Sequence, residues 1–426
     1  MFIDAINIIN NNFKDRYTIP AKNLYPFQWN WDSAFSSLGI HSFNKKKSWV
    51  EIETLFDSQW NNGMIPHIIF HKNSDKYFPG PKNWNYRGKI PSTCISQPPV
   101  IISVVYWLSE MGDGYDVNKA TNLYHKLFKY LKWYNDERDV DNLGLIKTYH
   151  PWETGRDNSP DWDDAMKNVK IKINVSKIKR KDINHVNYTE RPTDNDYYKF
   201  ITLVDFGNKN NWNKDMMYYN CPYQVVDHGI QFIYIRALKD FLKLSKKLNI
   251  NTYDNIINEW INKYTEGCEK LWNDSINSFC SLDFRTNKLS TNVSNASLLL
   301  FYAGVGSTYQ KNKMMTHACN FINNNKYYFP SWNNNSKNFN PIKYWRGPVW
   351  VVMNLLISIG FYNENNIVCQ KILKNTRELI EKNGFFEYFN PENGKGCGGK
   401  DFTWTASVYI ILNNIQKYSP AFYSKN

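Results

Sequence analysis

Several absences narrow the reading of this chain before any motif is considered. Its cysteines, Cys94, Cys221, Cys268, Cys280, Cys319, Cys369 and Cys397, stand alone and are odd in number. Without a C-x-x-C pair they suggest neither a zinc site nor a disulfide framework, and no metal or cofactor is expected. No run of about 18 apolar residues is present, which argues against a membrane-spanning helix. The opening, MFIDAINIINNNFKDRY, has no basic stretch followed by an apolar one. It does not read as a secretory signal, so the expected location is cytoplasmic. Strict two-residue alternation of apolar and polar positions, the mark of half-buried strands, is rare. Gly394, Gly396, Gly398 and Gly399 fit neither a G-x-G-x-x-G turn nor a Walker loop. A basic stripe on a recognisable nucleic-acid module is also missing. The formal charge of +13 is mostly scattered lysine, densest at KIKRK from Lys177 to Lys181. It reads as a solvated surface that leaves room for a mild pull on an anionic substrate.

What is present is helical periodicity and an abundance of rings. The 426 residues are 42% hydrophobic and 16% aromatic, with 16 Trp and 29 Tyr. Rings in such numbers either fill a large core or line a carbohydrate site, where a flat apolar face stacks on a sugar. Apolar residues recur at i, i+3, i+4 spacing from Trp49 to Gln59 and from Leu123 to Tyr134. Asp227 is placed to cap a long helix carrying Ile230, Ile233, Ala237, Phe241, Leu244 and Leu248. Further stripes cover 257–271, 297–303, 313–323, 348–359, 366–382 and 403–415. Apolar faces on so many successive helices must bury against one another. The expectation is an all-α ring of helical hairpins forming a single domain over residues 1–426. The stretch from about 168 to 221 is polar, Asn- and Lys-rich and weakly periodic, and is expected to be an insertion acting as a lid.

The motif-rich segments fall between the helices. In YPFQWNWDSAF, Trp29, Trp31 and Asp32 stand just ahead of an apolar helix, and Asp32 suits either an N-cap or a grip on sugar hydroxyls. His67 follows a proline turn, Tyr77 sits in a second turn, and Gln97 precedes Pro98-Pro99 at a helix entry. A lone histidine is more often a hydrogen-bonded structural group than a catalyst; hydroxyl recognition is the alternative. In HPWETGRDNSPDWDDAM, Pro160 forces a turn, so Asp161, Asp163 and Asp164 lie near the start of a helix, where negative charge suits its dipole. That explains three acids but not Glu153 or Asp157. In YWRGPVW, Pro348 suits a first helical position, Arg346 suits a carboxylate partner, and Trp345 and Trp350 add stacking area. Near the end, Glu387 lies among Phe385, Phe386, Tyr388 and Phe389. Apolar surroundings raise a carboxyl pKa, and such acids cluster at functional sites. Two ring-wrapped loop acids, Asp157 and Glu387, are what glycosidic bond cleavage requires.

Taken in order, YPFQWNWDSAF, GMIPH, SQPP, HPWETGRDNSPDWD, ERPTDNDYYKF, YWRGPVW and FFEYFNP…FTWTA resemble glycoside hydrolase family 63 over nearly the whole chain. Within that family the chain looks most like the mannosylglycerate and glucosylglycerate hydrolases. The resemblance implies an (α/α)6 barrel and inverting hydrolysis of an α-glycosidic bond, with Asp157 as general acid and Glu387 as general base. It further implies a substrate-binding wall from Trp31, Asp32, His67, Tyr77, Gln97, Trp152, Gly155, Tyr344, Trp345 and Trp350. Tyr25, Trp29, Arg156 and Arg346 join that set as candidates from their place in the same motifs. ERPTDNDYYKF falls in the segment the family uses as a mobile lid. Residues 201–221 match no motif, which leaves the aglycone open. The expected partner is a small carbohydrate, with no nucleic acid and no membrane, and the oligomeric state is open. Rival readings are an α-glucosidase acting on neutral oligosaccharides, a sugar epimerase that would need a pair of histidine bases among His67, His150 and His228, and a non-catalytic sugar-binding protein.

Overall fold

The computed structural model describes residues 1–424. Among the described residues the chain forms sixteen α-helices joined by loops and by strands of two to five residues. They begin with α1 (Phe2–Asn12), α2 (Asn30–Ile40), α3 (Lys45–Asp57), α4 (Val100–Met111) and α5 (Gly114–Arg138). The middle holds α6 (Asp163–Lys167), α7 (Asp194–Lys209), α8 (Lys214–Asn220), α9 (His228–Leu248) and α10 (Asp254–Cys268). Then come α11 (Leu299–Ala303), α12 (Thr308–Asn323), α13 (Val351–Glu364), α14 (Asn366–Asn383), α15 (Thr403–Asn413) and α16 (Ile415–Phe422). No helix among the described residues is long and apolar enough to cross a membrane.

Two kinds of helix alternate, and composition decides which is which. Every residue of α2 and α11 is buried, as are Val100–Ser109 of α4, Val351–Phe361 of α13 and Thr403–Leu412 of α15. Helices apolar all round belong inside a larger body. Their packing runs α2 on α4, α4 on α9, α9 on α11, α11 on α13, α13 on α15 and α15 back on α2, so the six close a cycle. Outside it lie helices that bury one face only. In α10 the large buried side chains Ile257, Trp260 and Tyr264, with Cys268, recur about once per turn on the face toward α9. In the same way α3 packs on α2, α5 on α4 and α14 on α13. Each large side chain buried in this way contributes on the order of 1.5–3 kcal/mol.

Several boundaries differ from the sequence expectation. The helix expected from Pro348 starts at Val351, because Val349 exchanges backbone hydrogen bonds with Phe389 (2.7 and 3.0 Å) and stays extended. Asp32 is the third residue of α2 and not its cap; Trp29 occupies the cap position and offers no side-chain bond. The turn after Ser159 is a short 3-10 segment, Pro160–Trp162, before α6. The polar stretch 168–221 holds two helices. Thr193 and Asp196 form a reciprocal capping box at the start of α7, and Tyr197, Phe200, Leu203 and Val204 give it a buried face.

Candidate active site

One cavity gathers most of the ring-rich loops. Its wall includes Tyr25, Trp29, Trp31, Asp32, His67, Tyr77, Gln97, Trp152, Gly155, Asp157, Tyr344, Trp345 and Glu387. Local backbone chemistry aims each of them. Gln28–Trp29 pairs antiparallel with Ile68–Ile69, and the Asn30 amide donates to the His67 carbonyl (3.0 Å). This ties the Trp29–Asp32 segment to His67. Gln97 accepts from the Trp31 amide through its side-chain oxygen (3.3 Å). Gly155 adopts a left-handed conformation (φ 69°), and any Cβ there would lie 2.7 Å from the Trp31 ring. Only glycine lets the loop pass so close.

The loop carrying Asp157 is braced on every side. His150 accepts the Trp152 N–H at Nδ1 (3.1 Å) and meets the Phe200 carbonyl at Nε2 (3.0 Å), which assigns its proton to Nε2. Burial pushes its pKa down to about 3, against the pull of that carbonyl, so it is neutral. Glu153 accepts from Arg138 (2.6 and 2.8 Å) and from the Tyr149 amide (2.8 Å). Arg156 turns inward, to Asp161 (3.0 Å) and Asp227 (2.5 Å). The next residue, Asp157, therefore faces the cavity. Burial raises its pKa to about 7; the Arg191 charge opposes this, and the Glu387 charge adds to it.

Glu387 sits at an irregularity in the pairing of Phe386–Phe389 with Gly396–Lys400, where the register shifts between Phe386 and Tyr388. A bulge of this kind re-aims one side chain, here into the cavity. Its carboxyl accepts from the Tyr25 hydroxyl (2.8 Å) and the Gly399 amide (3.0 Å), with Arg191 Nη1 at 3.6 Å. Burial raises its pKa, and Arg191 and the two donors pull it back by favouring the charged form. Asp32, also buried, is raised well above the usual carboxylate range by burial and then by the Glu387 charge. Asp32, Asp157 and Glu387 thus share one cavity with different surroundings.

The insertion supplies a wall that motif reading did not resolve residue by residue. Asp182, Arg191, Pro192, Tyr197 and Phe200 all line the cavity. Arg191 lies over the Tyr344 ring (4.1 Å), donates to Asp182 through Nε (3.3 Å), and has a buried Nη1 without a hydrogen-bond partner. Pro20, Phe402 and Trp404 complete the wall. Three expected binding residues lie elsewhere. Arg156 is held by Asp161 and Asp227, as above. Arg346 forms a two-pronged pair with Asp163 (2.6 and 2.8 Å). Trp350 stacks behind Trp345 (3.9 Å, 5°) and supports it from outside the cavity. Of the three motif histidines, His150 is engaged on both nitrogens and His228 bonds Ser281 and Ser294. His67 alone lines the cavity; burial holds it neutral, and its Nδ1 lacks a partner.

Comparison with known proteins adds an independent line. The family model for the mannosylglycerate hydrolase MGH1-like glycoside hydrolase domain matches residues 25–405. The chain is 35% identical over 410 residues to mannosylglycerate hydrolase MGH1 of Selaginella moellendorffii, covering 95% of this chain and 83% of that protein. It is 35% identical over 413 residues to a mannosylglycerate hydrolase of Thermus thermophilus, covering 96% and 99%. A crystal structure of a Thermus thermophilus mannosylglycerate hydrolase of glycoside hydrolase family 63, in complex with Tris and D-glycerate, superposes with a TM-score of 0.92 at 33% identity. That match covers 96% of this chain and 99% of the other.

Proposed function

The chain belongs to the mannosylglycerate hydrolase MGH1-like glycoside hydrolases, and from this we propose that it cleaves the α-glycosidic bond of a glycerate glycoside with inversion. Asp157 is the general acid, protonating the glycosidic oxygen. Glu387 is the general base, removing a proton from the water that attacks the anomeric carbon on the opposite face. The observation that carries this reading is the contrast between two acids in one ring-lined cavity. Burial raises both and Arg191 opposes it at both, but Glu387 also accepts from the Tyr25 hydroxyl and the Gly399 amide, which favour its ionised form, while Asp157 is raised to about 7 and is protonated on the acid side of neutrality. Environments that push two carboxyls apart in this way assign acid and base.

The substrate's charged end has a matching group. Arg191 Nη1 is buried at the cavity wall without a hydrogen-bond partner, which suits the carboxylate of glycerate. A Thermus thermophilus relative crystallised with D-glycerate supports a glycerate-bearing substrate. Trp31, Trp152 and Trp345 offer ring faces to the sugar, while Asp32, His67 and Gln97 offer polar groups to its hydroxyls. The closed cycle of six inner helices is read as an (α/α)6 barrel in one domain, with residues 168–221 as its lid.

The test is direct. Purified protein is given mannosylglycerate, glucosylglycerate and a panel of neutral α-linked disaccharides, and the anomer released is followed by NMR in the first minutes. Cleavage of a glycerate glycoside with an inverted product is expected. A retained anomer ends the two-acid inverting scheme, and activity confined to neutral disaccharides ends the glycerate assignment. Asp157→Asn and Glu387→Gln are each expected to lose on the order of 10²–10⁴ in turnover.

A further inference from the structure

Two neighbours in the insertion reach Glu387 by different routes. Arg191 approaches it directly, as described above. Glu190 approaches it through the backbone. Its Oε2 accepts the Gly398 N–H (2.8 Å), and its own carbonyl accepts the Tyr388 hydroxyl (2.7 Å). Gly398 and Gly399 are consecutive donors on the same strand, the first to Glu190 and the second to Glu387. Gly398 is left-handed (φ 69°), and a Cβ there would meet Glu387 Oε2 at 2.4 Å. The backbone holding the catalytic carboxyl is thus a tight turn whose outer amide is held by the insertion and whose inner amide is held by Glu387. Tyr388, next in sequence to Glu387, is held by the insertion as well.

We propose that Glu190 is a positioning residue that latches the insertion onto the 396–400 strand and thereby sets both the aim and the proton affinity of Glu387. This rests on Glu387 being the base. When the insertion is docked, Glu190 fixes the Gly398 turn, the Gly399 N–H points at Glu387 Oε2, and Arg191 lies beside Oε1. When it undocks, the base loses the guanidinium and the fixed amide together, so water activation is confined to the closed enzyme. The groups facing Glu387 are Tyr25 from the loop before α2, Asp32 from α2, Asp157 from the loop before α6, Tyr344 from the loop before α13, and Arg191 and Glu190 from the insertion. The Cys397 thiol lies near Glu190, Lys395 and Glu387. Glu190 is a like charge to the base and raises its proton affinity, whereas Arg191 lowers it.

The test uses the full chain with mannosylglycerate and records kcat and KM across pH. Glu190→Gln keeps an oxygen for the Gly398 N–H but removes the charge. It is expected to keep most of kcat while the acid limb of kcat/KM moves to lower pH. Glu190→Ala removes the acceptor too and is expected to lower kcat about tenfold or more. Tyr388→Phe, which loosens the second latch but leaves the charge, should lower kcat and, by freeing Arg191 from Glu387, move the acid limb to higher pH, opposite to Glu190→Gln. Wild-type kcat and an unmoved acid limb in Glu190→Ala overturn the proposal. Equal losses in Glu190→Gln and Glu190→Ala with an unmoved acid limb also overturn it, leaving Glu190 as a structural anchor only. Glu387→Gln separates the two failures: if it is inactive while the Glu190 variants behave as wild type, the latch fails and the base stands. If Glu387→Gln is active, the base assignment fails and the latch with it.

Discussion

Asp157 and Arg156 are neighbours with opposite fates, and the difference lies in which partners each can reach. Arg156 is drawn inward by two buried carboxylates, Asp161 and Asp227, and this turns Asp157 to the cavity. The cavity then makes ionisation costly, and the Asp157 carboxyl holds its proton up to about pH 7. A general acid must be protonated, so kcat/KM is expected to fall as pH rises through about 7. Glu387 must be ionised, so kcat/KM is expected to fall again toward acid pH as it takes up a proton. A pH–rate profile of the purified protein checks both limbs, and a flat profile between pH 6 and 9 contradicts the Asp157 assignment. Both acids line the cavity; in the sequence Asp157 stands out because its neighbours leave it no bland role, and Glu387 because rings flank it. The arginines were legible only in part: the carboxylate partner that Arg346 suits is present as Asp163, but its place outside the cavity was not visible. Sequence places Arg156 and Arg346 in ring-rich motifs but says nothing of which side of a turn they take, and both are paired with aspartates away from the cavity. Arg191 stood in a lysine-rich polar stretch, where another cation reads as solubilising surface, although the ERPTDNDYYKF motif around it was visible.

At the level of elements, the helices of the outer layer were legible because each buries one face, and their spacing survives as a stripe, as in α10 with Ile257, Trp260, Tyr264 and Cys268. The insertion was harder. Asp, Asn and Lys make up seven of the sixteen residues of α7, and the buried large apolar positions Tyr197, Phe200, Leu203 and Val204 are spaced by three, three and one, too few for a long stripe. Its start signal was nonetheless written in Thr193 and Asp196, a capping box with an acid of shorter reach than the usual glutamate. Because α7 carries Tyr197 and Phe200 into the cavity wall, the cap bears on function as well as folding. Thr193→Ala is expected to cost about 1 kcal/mol of stability. It should also raise KM for the glycerate glycoside more than it lowers kcat, since it loosens a binding wall and leaves both acids in place. Thermal unfolding together with steady-state kinetics checks the pair of effects; an unchanged KM would detach α7 from substrate binding.

Across the whole molecule, the same burial that assembles the cavity sets a conflict between two classes of titrating group. Burial lowers His150 to about 3 and His71 to about 4, and lowers His67 well below its ordinary value. In the unfolded chain such groups titrate near 6.5. The unfolded state therefore binds more protons below that value, and these histidines remove stability as pH falls from about 6.5 to between 3 and 4. Buried carboxyls act in the opposite sense. Glu51 and Asp157 are raised to about 7 by burial, and Asp32 and Glu387 are raised as well. The folded state then binds more protons than the unfolded one between about 7 and the ordinary carboxylate range near 4, so these groups add stability as pH falls through that window. The two contributions oppose each other between pH 6.5 and 4. Below about 4 the carboxyl gain is complete, while His150 still resists its proton. There the unfolded chain takes up protons that Asp116, lowered to about 2, and Asp227, held low by Arg156 against the cost of burial, do not accept in the folded protein, and stability falls. The Tm is accordingly expected to change little between pH 6.5 and 4.5 and to drop steeply below about pH 4, as scanning calorimetry across pH 8 to 3 would record. A Tm that declines steadily from pH 6.5 downward would mean that the buried histidines outweigh the cavity carboxyls, and that Asp32, Glu51, Asp157 and Glu387 are less protonated in the folded protein than their burial requires.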